Sequence, residues 1–107
     1  MSAETTWSVA WTYSSWITFR TAMDRIAEDR PQSALEQDEA ILASVARLTG
    51  YPRIGRTGRR KGTRELVGPG TPFIVVYRIL EREGRVQIVR FLHGAQKWPD
   101  VSLPAQQ

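Results

Sequence analysis

Residues 71–93 read TPFIVVYRILEREGRVQIVRFLH, and they carry the strongest structural signal in the chain. Residues 71–80 are β-branched and aromatic at both odd and even positions, which is typical of a central strand buried on both faces. Residues 81–84 (EREG) predict a turn, and residues 85–93 have the composition of a returning strand. The stretch therefore predicts a β-hairpin in the middle of a sheet.

The part of the chain before this hairpin predicts a strand and two helices. Residues 7–11 (WSVAW) alternate large and small side chains, which favours a short strand. Thr12 or Ser14 can then cap a helix that runs to about Asp29. A second helix begins at Pro31, because proline suits a first helical turn, and ends before Gly50. The apolar stripe of the first helix contains Trp16, Phe19, Met23 and Ile26. The inward residues predicted for the second are Ala34, Leu35, Ile41, Leu42, Val45 and Leu48.

A further short strand at residues 63–67 completes the order β-α-α-β-β-β. This order predicts an α+β fold in which a helical hairpin covers one face of a small, mostly antiparallel sheet. The length suits one domain, which we assign to residues 1–99. Residues 100–107 contain proline and two terminal glutamines, and we expect them to form a flexible C-terminal tail.

Composition excludes several classes of protein. There is no cysteine, so disulfides and thiolate metal sites are ruled out. No segment approaches the roughly 18 consecutive apolar residues of a membrane span, and the N-terminus lacks a signal-peptide pattern. No spacing of residues matches a metal or nucleotide site. We therefore expect a cytoplasmic protein that needs neither a metal nor another cofactor and does not bind membranes.

Positive charge is concentrated in the second half of the chain. Residues 1–50 carry a net charge of −3 and residues 51–107 a net charge of +7, and thirteen of the fifteen cations are arginine. Six cations fall between residues 51 and 64 with no acidic residue among them: Arg53, Arg56, Arg59, Arg60, Lys61 and Arg64. The guanidinium fork suits phosphates and carboxylates. This basic segment predicts a surface for an anionic partner, although a charged edge strand that resists aggregation is an alternative.

Other residues leave two interpretations open. His93 is the only histidine, and it is either a general base or a residue bonded to backbone at a strand end. Arg78 and Arg90 lie on adjacent strands, where they either extend the cationic surface or pair with helix carboxylates, depending on the register. Trp7, Trp11, Trp16 and Trp98 could stack on bases, but the spacing of the first three favours the core.

Several strings in this predicted order resemble one family. They are residues 26–31 (IAEDRP), 48–56 (LTGYPRIGR), 62–66 (GTREL) and 92–99 (LHGAQKWP), together with Trp11, Phe19, Tyr77 and Arg78. These strings, spread over about residues 7–99, resemble the RelE/ParE superfamily of bacterial toxins, and GTREL and LHGAxxW are similar to its ParE-like branch. The resemblance implies the growth-inhibiting toxin of a type II toxin–antitoxin pair of the plasmid-stabilising kind. A cognate antitoxin would hold it inactive, in a complex that could be a heterotetramer, and the toxin could also form a homodimer.

The resemblance implies two competing activities. ParE-like members poison DNA gyrase without nuclease chemistry, whereas RelE-like members cut mRNA on the ribosome. RelE-like nucleases commonly carry an arginine after the aromatic that opens the third strand, where this chain has Ile74. Many also end in a tyrosine or histidine–tyrosine pair, whereas Gly94 follows His93 here. These departures favour the gyrase poison over an enzyme. A non-toxic basic nucleic-acid-binding module is a further alternative.

The predicted site combines the basic segment and the last two strands. We expect the target or the antitoxin to bind Arg56, Arg59, Arg60, Lys61, Arg64, Arg78 and Arg90. His93 is the candidate catalytic residue only if the protein is a nuclease.

Overall fold

The computed structural model describes residues 6–96 and Trp98. It contains five strands and two α-helices in the order β1-α1-α2-β2-β3-β4-β5, with short 3-10 turns at Arg47–Thr49 and Glu81–Glu83. The bounds are β1 Ser8–Trp11, α1 Tyr13–Asp29, α2 Pro31–Ala46, β2 Arg56–Thr57, β3 Arg64–Val67, β4 Phe73–Leu80 and β5 Arg85–His93. The predicted α+β fold is confirmed, with the helical hairpin on one face of the sheet. The predicted flexible tail at residues 100–107 lies outside the described residues.

The sheet is mixed, with the strand order β1-β5-β4-β3-β2. All neighbouring strands are antiparallel except β1 and β5, which are parallel. The central hairpin β4–β5 forms as predicted, and Gly84 takes the left-handed conformation at its turn (φ 63°). Sequence reasoning missed β2, a two-residue edge strand inside the basic segment that pairs Arg56 with Glu65.

The start of α1 is anchored to the sheet. The hydroxyl of Thr12 accepts a hydrogen bond from the Ser15 backbone N–H (3.2 Å), which confirms Thr12 as the cap. The buried Ser15 hydroxyl donates to the Ile88 carbonyl on β5 (3.1 Å). The first turn of α1 is therefore held against the strand that carries Arg90 and His93.

The main core lies between the helical hairpin and the sheet. It is built from one stripe of each helix, the turn after α2 and the facing side chains of β3, β4 and β5: Phe19, Met23, Ile41, Val45, Leu48, Leu66, Phe73, Val75, Tyr77, Val86, Ile88 and Phe91. Trp7 and Trp11 pack against this core as predicted, while Trp16 contacts Trp11 and Phe19 with its edge and stays 37% exposed.

Two inward assignments on α2 are wrong. Leu35 and Leu42 are 52% and 38% exposed, whereas Ala34 and Ile41 are buried. Each exposed leucine follows a buried residue by one position, which turns it about 100° around a helix of 3.6 residues per turn. The hydrophobic stripe of α2 is consequently narrower than the sequence indicates, and two leucines are left on the surface of the hairpin.

The opposite face of the sheet, called here the outer face, has its own small cluster. Ile74, Val76 and Leu92 lie under Trp98, and Val89 packs at the margin. Trp98 thus returns over the sheet after β5 and covers apolar surface that no helix reaches. Within residues 6–96 and Trp98, no helix is long and apolar enough to cross a membrane.

Candidate functional site

A bulge in β5 puts Arg78 and Arg90 on the same face of the sheet. Arg78 pairs with Gln87, and Tyr77 pairs with Ile88, but Val76 then pairs with Arg90, so the register shifts by one residue. Without that shift, the alternation of side chains along β5 would turn Arg90 toward the helical hairpin. Both arginines instead lie on the outer face, and neither forms an ion pair with a helix carboxylate among the described residues.

A buried carboxylate on β3 neutralises part of the basic segment. Glu65 is only 2% exposed, and its Oε1 lies 2.9 Å from Nη2 of Arg56. Its Oε2 accepts a hydrogen bond from the backbone N–H of Arg59 (3.0 Å) and lies 3.2 Å from the Arg59 Nε. The same oxygen accepts from the indole Nε1 of Trp98 (3.1 Å). Arg56 and Arg59, two of the predicted binding residues, therefore already form ion pairs within the protein.

This arrangement sets the charge of Glu65. Burial raises the pKa of the carboxyl, but the Arg59 backbone N–H, the hydrogen bond from Arg56 and the positive charges of both arginines outweigh it. The pKa of Glu65 is accordingly lowered from its usual value, and the side chain is ionised at neutral pH. Sequence reasoning missed this role, although Glu65 is the first acidic residue after the cationic run.

Hydrogen bonds to the Tyr77 hydroxyl fix the beginning of the basic segment. The Tyr77 hydroxyl donates to the Pro52 carbonyl (2.6 Å) and accepts from the Gly55 N–H (2.9 Å). Burial is the main reason that the pKa of Tyr77 is raised. Arg64 donates to the carbonyls of Gly55 (2.6 Å) and Arg53 (3.2 Å). The segment is thus an ordered part of the fold rather than a loose loop.

Three of the predicted cations have no acidic partner among the described residues and come together on the outer face. Lys61, Arg78 and Arg90 line a concavity of about 300 Å³. We call it the cationic concavity; its lining is Arg60, Lys61, Gly62, Thr63, Arg78, Val89, Arg90 and Trp98. The Arg90 guanidinium carbon lies 4.8 Å from the centre of the Trp98 ring, and the Arg90 Nε is buried without a hydrogen bond. The arrangement can hold an anion by charge.

His93 lies apart from these cations. It pairs with Phe73 on β4, and its ring meets the Phe73 ring edge-on with centroids 5.7 Å apart, on the side of the main core. Its Nδ1 accepts a hydrogen bond from the Ala95 N–H (3.0 Å), so the neutral ring carries its proton on Nε2. The structure does not bring His93 together with Arg78 and Arg90, because the sheet separates them.

The helical hairpin carries an exposed apolar surface. Its members are Tyr13, Trp16 and Ile17 on α1 and Leu35 and Leu42 on α2. An ion pair between Arg20 and Asp38 (2.8 Å) joins the two helices. We call this set the hairpin surface. Several large apolar side chains exposed on one pair of helices are a feature found at protein–protein contacts.

Known proteins have sequences similar to this chain. The family model described as ParE toxin of type II toxin–antitoxin system, parDE, matches residues 18–98. A candidate toxin of Sinorhizobium fredii (strain NBRC 101917 / NGR234), Y4kP, is 42% identical over 76 residues, which are 71% of this chain and 76% of that protein.

Two solved structures have a similar fold. The chromosomal ParDE system from P. aeruginosa superposes with a TM-score of 0.73 at 23% identity, over 82% of this chain and 96% of that one. The toxin–antitoxin complex RelBE2 from Mycobacterium tuberculosis gives a TM-score of 0.59 at 21% identity, over 90% of this chain and 100% of that one.

Proposed function

The chain belongs to the ParE toxin family of type II toxin–antitoxin systems, and from this membership we propose that it arrests bacterial growth by poisoning DNA gyrase and is neutralised by a cognate antitoxin. A poison of this kind works by protein contact that stabilises the cleaved gyrase–DNA complex. It needs a binding surface and no catalytic group of its own.

The separation of His93 from the cationic concavity is the observation that carries this proposal. Cleavage of RNA needs a base and an acid next to groups that stabilise phosphate charge. Among the described residues, none that lines the cationic concavity is a histidine, a tyrosine or a carboxylate, and the His93 ring lies on the other side of the sheet. Ile74, at the position where RelE-like nucleases commonly carry arginine, is buried under Trp98. These features support the poison over the ribosome-dependent mRNA endonuclease.

The antitoxin has two candidate surfaces. Exposed apolar side chains on the hairpin surface favour an amphipathic segment that buries them, because burial of apolar area drives most protein association. The cations of the basic segment favour acidic residues instead. Arg56 and Arg59 already share Glu65, so an acidic antitoxin segment would rely on Lys61, Arg64 and Arg78. We propose that the hairpin surface is the main antitoxin contact, since its leucines are otherwise exposed to water.

One experiment separates the two activities. Purified protein is added to a gyrase supercoiling assay and, in parallel, to translating ribosomes carrying an end-labelled message. We expect inhibited supercoiling or trapped cleaved DNA, an intact message, and the same result with His93→Ala. A message that is cleaved by the wild type and spared by His93→Ala would overturn the proposal in favour of the nuclease. DNA binding without either activity would instead support the non-toxic basic module.

A further inference from the structure

The ion pairs among the described residues involve five of the arginines. Arg20 pairs with Asp38, Arg53 with Glu81, Arg85 with Glu83, and Arg56 and Arg59 share Glu65. Lys61, Arg78 and Arg90 have no carboxylate within ion-pair distance among the described residues, and all three line the cationic concavity. Other cations, such as Arg25 and Arg47, also lack a carboxylate partner among the described residues, but Lys61, Arg78 and Arg90 lie together at one concavity of the outer face.

We infer that the cationic concavity is a contact site for the phosphodiester backbone of DNA. This inference rests on the proposed gyrase function, since a gyrase poison acts on a complex that contains DNA. Lys61 and Arg78 form the exposed rim, and Arg90 lies deeper beside Trp98 and Val89. Charged contacts of this type bind DNA without reading its sequence.

The grouping of the cations favours a ligand with closely repeated charges. Nε and Nη2 of Arg78 both donate to Oε1 of Gln87 (3.2 and 3.1 Å), and Nε of Arg90 is buried. These contacts hold the two guanidinium groups in place, and both keep their positive charge beside Lys61. Double-stranded DNA carries one negative charge per about 1.7 Å of helix axis, so a single backbone can meet several of these cations at once.

The deep cation of this site is positioned by the buried carboxylate. Arg90 packs on the Trp98 ring, and the indole N–H of Trp98 bonds to Glu65. A chain of contacts from β3 through Trp98 to β5 thus orders the guanidinium before any ligand arrives, which lowers the entropy cost of binding. Glu65 forms ion pairs with Arg56 and Arg59 and, through Trp98, holds Arg90 at the concavity.

Fluorescence anisotropy with a short labelled DNA duplex of random sequence tests the inference on the full chain. Binding is measured from about 50 to about 200 mM NaCl, a range over which phosphate contacts weaken strongly. The logarithm of the DNA-binding constant falls as the logarithm of the salt concentration rises. We expect Lys61→Gln/Arg78→Gln to make this slope shallower by about 2, because each substitution removes one cation that would neutralise a phosphate. At the lowest salt its affinity should fall by about tenfold.

The matched control is Arg25→Gln/Arg47→Gln, which removes the same net charge from exposed positions of α1 and the turn after α2. The salt dependence of DNA binding by this control should equal that of the wild type within experimental error. The inference is wrong if the wild type binds the duplex without salt dependence or not at all, or if both double variants weaken it equally. It is also wrong if Lys61→Gln/Arg78→Gln loses antitoxin affinity while DNA binding is unchanged.

The outcomes separate this inference from the proposed function. A wild type that poisons gyrase but fails to bind the duplex would remove the DNA contact and keep the gyrase proposal. A wild type that binds the duplex through Lys61 and Arg78 but leaves gyrase active would keep the DNA contact and remove the gyrase proposal. Thermal unfolding of each variant, measured alongside, verifies that the exposed substitutions at these positions leave the fold intact.

Discussion

The indole Nε1 of Trp98 donates a 3.1 Å hydrogen bond to the buried carboxylate of Glu65. This contact joins the end of the described chain to an inner strand and closes the small cluster on the outer face. The same carboxylate forms ion pairs with Arg56 and Arg59. One acidic side chain therefore positions both the middle of the basic segment and the Trp98 ring that covers the outer face.

Glu65→Gln should lower the free energy of unfolding by about 2 kcal/mol, because it removes hydrogen bonds to a charged group. The new amide would also direct an N–H₂ group toward donors on arginine or Trp98. Urea unfolding measures the change. Glu83→Gln is the matched control, since its ion pair with Arg85 is exposed and long (3.5 Å), and it should shift stability by less than about 0.5 kcal/mol. Equal effects of the two substitutions would contradict the central role of Glu65.

The pH dependence of stability should report the same carboxylate. The pKa of Glu65 is lowered in the folded protein from its ordinary value of 4.5. Its contribution is then fully present above pH 4.5 and is lost as pH falls through the lower folded pKa. The stability gap between wild type and Glu65→Gln should be constant near neutral pH and shrink below pH 4.5. A gap that stays constant in acid would show that the charge of Glu65 contributes nothing.

Gly55→Ala should be destabilising, whereas Gly50→Ala should not. A Cβ at Gly55 would lie 2.7 Å from the Tyr77 hydroxyl and 2.8 Å from the Glu65 carbonyl, so the backbone must move. We expect a loss of about 1–3 kcal/mol, as for other overpacked sites. Nothing lies within 4 Å of a Cβ at Gly50, whose φ of −109° alanine adopts readily, and the change should be neutral or stabilise by up to about 1 kcal/mol. Thermal denaturation compares them, and a tolerated Gly55→Ala would refute the close approach.

Leu35→Asn/Leu42→Asn should weaken antitoxin binding and leave the fold unchanged. Both leucines are exposed in the free protein, so their loss costs little folding energy but removes apolar area from the proposed interface. Isothermal titration with the antitoxin should give at least about a tenfold weaker Kd, which corresponds to about 1.4 kcal/mol. Val67→Thr, an exposed apolar residue on β3, is the control. Unchanged affinity would leave the cationic concavity as the surface for the antitoxin.

Most of the fold was predictable because it depends on local patterns. The β4–β5 hairpin was visible in residues 71–93, and β5 begins at Arg85 and ends at His93 as predicted. The cap at Thr12 and the break before Pro31 rest on the chemistry of single residues. Leu35 and Leu42 were wrongly placed inside, because apolar character is encoded locally but the width of the buried stripe depends on what packs against it.

The candidate site was predictable only in composition. The cations of the basic segment, and the lack of an acidic residue among them, were evident from the amino-acid sequence. The partners of these cations were not evident from the sequence. Glu65 contacts Trp98, which is 33 residues away in sequence, and it contacts the arginines only once β2 pairs with β3. Likewise, side-chain alternation along a strand cannot reveal a one-residue bulge. The register shift beside Val76 turns Arg90 to the outer face, and it arises from cross-strand pairing that forms when the whole sheet assembles.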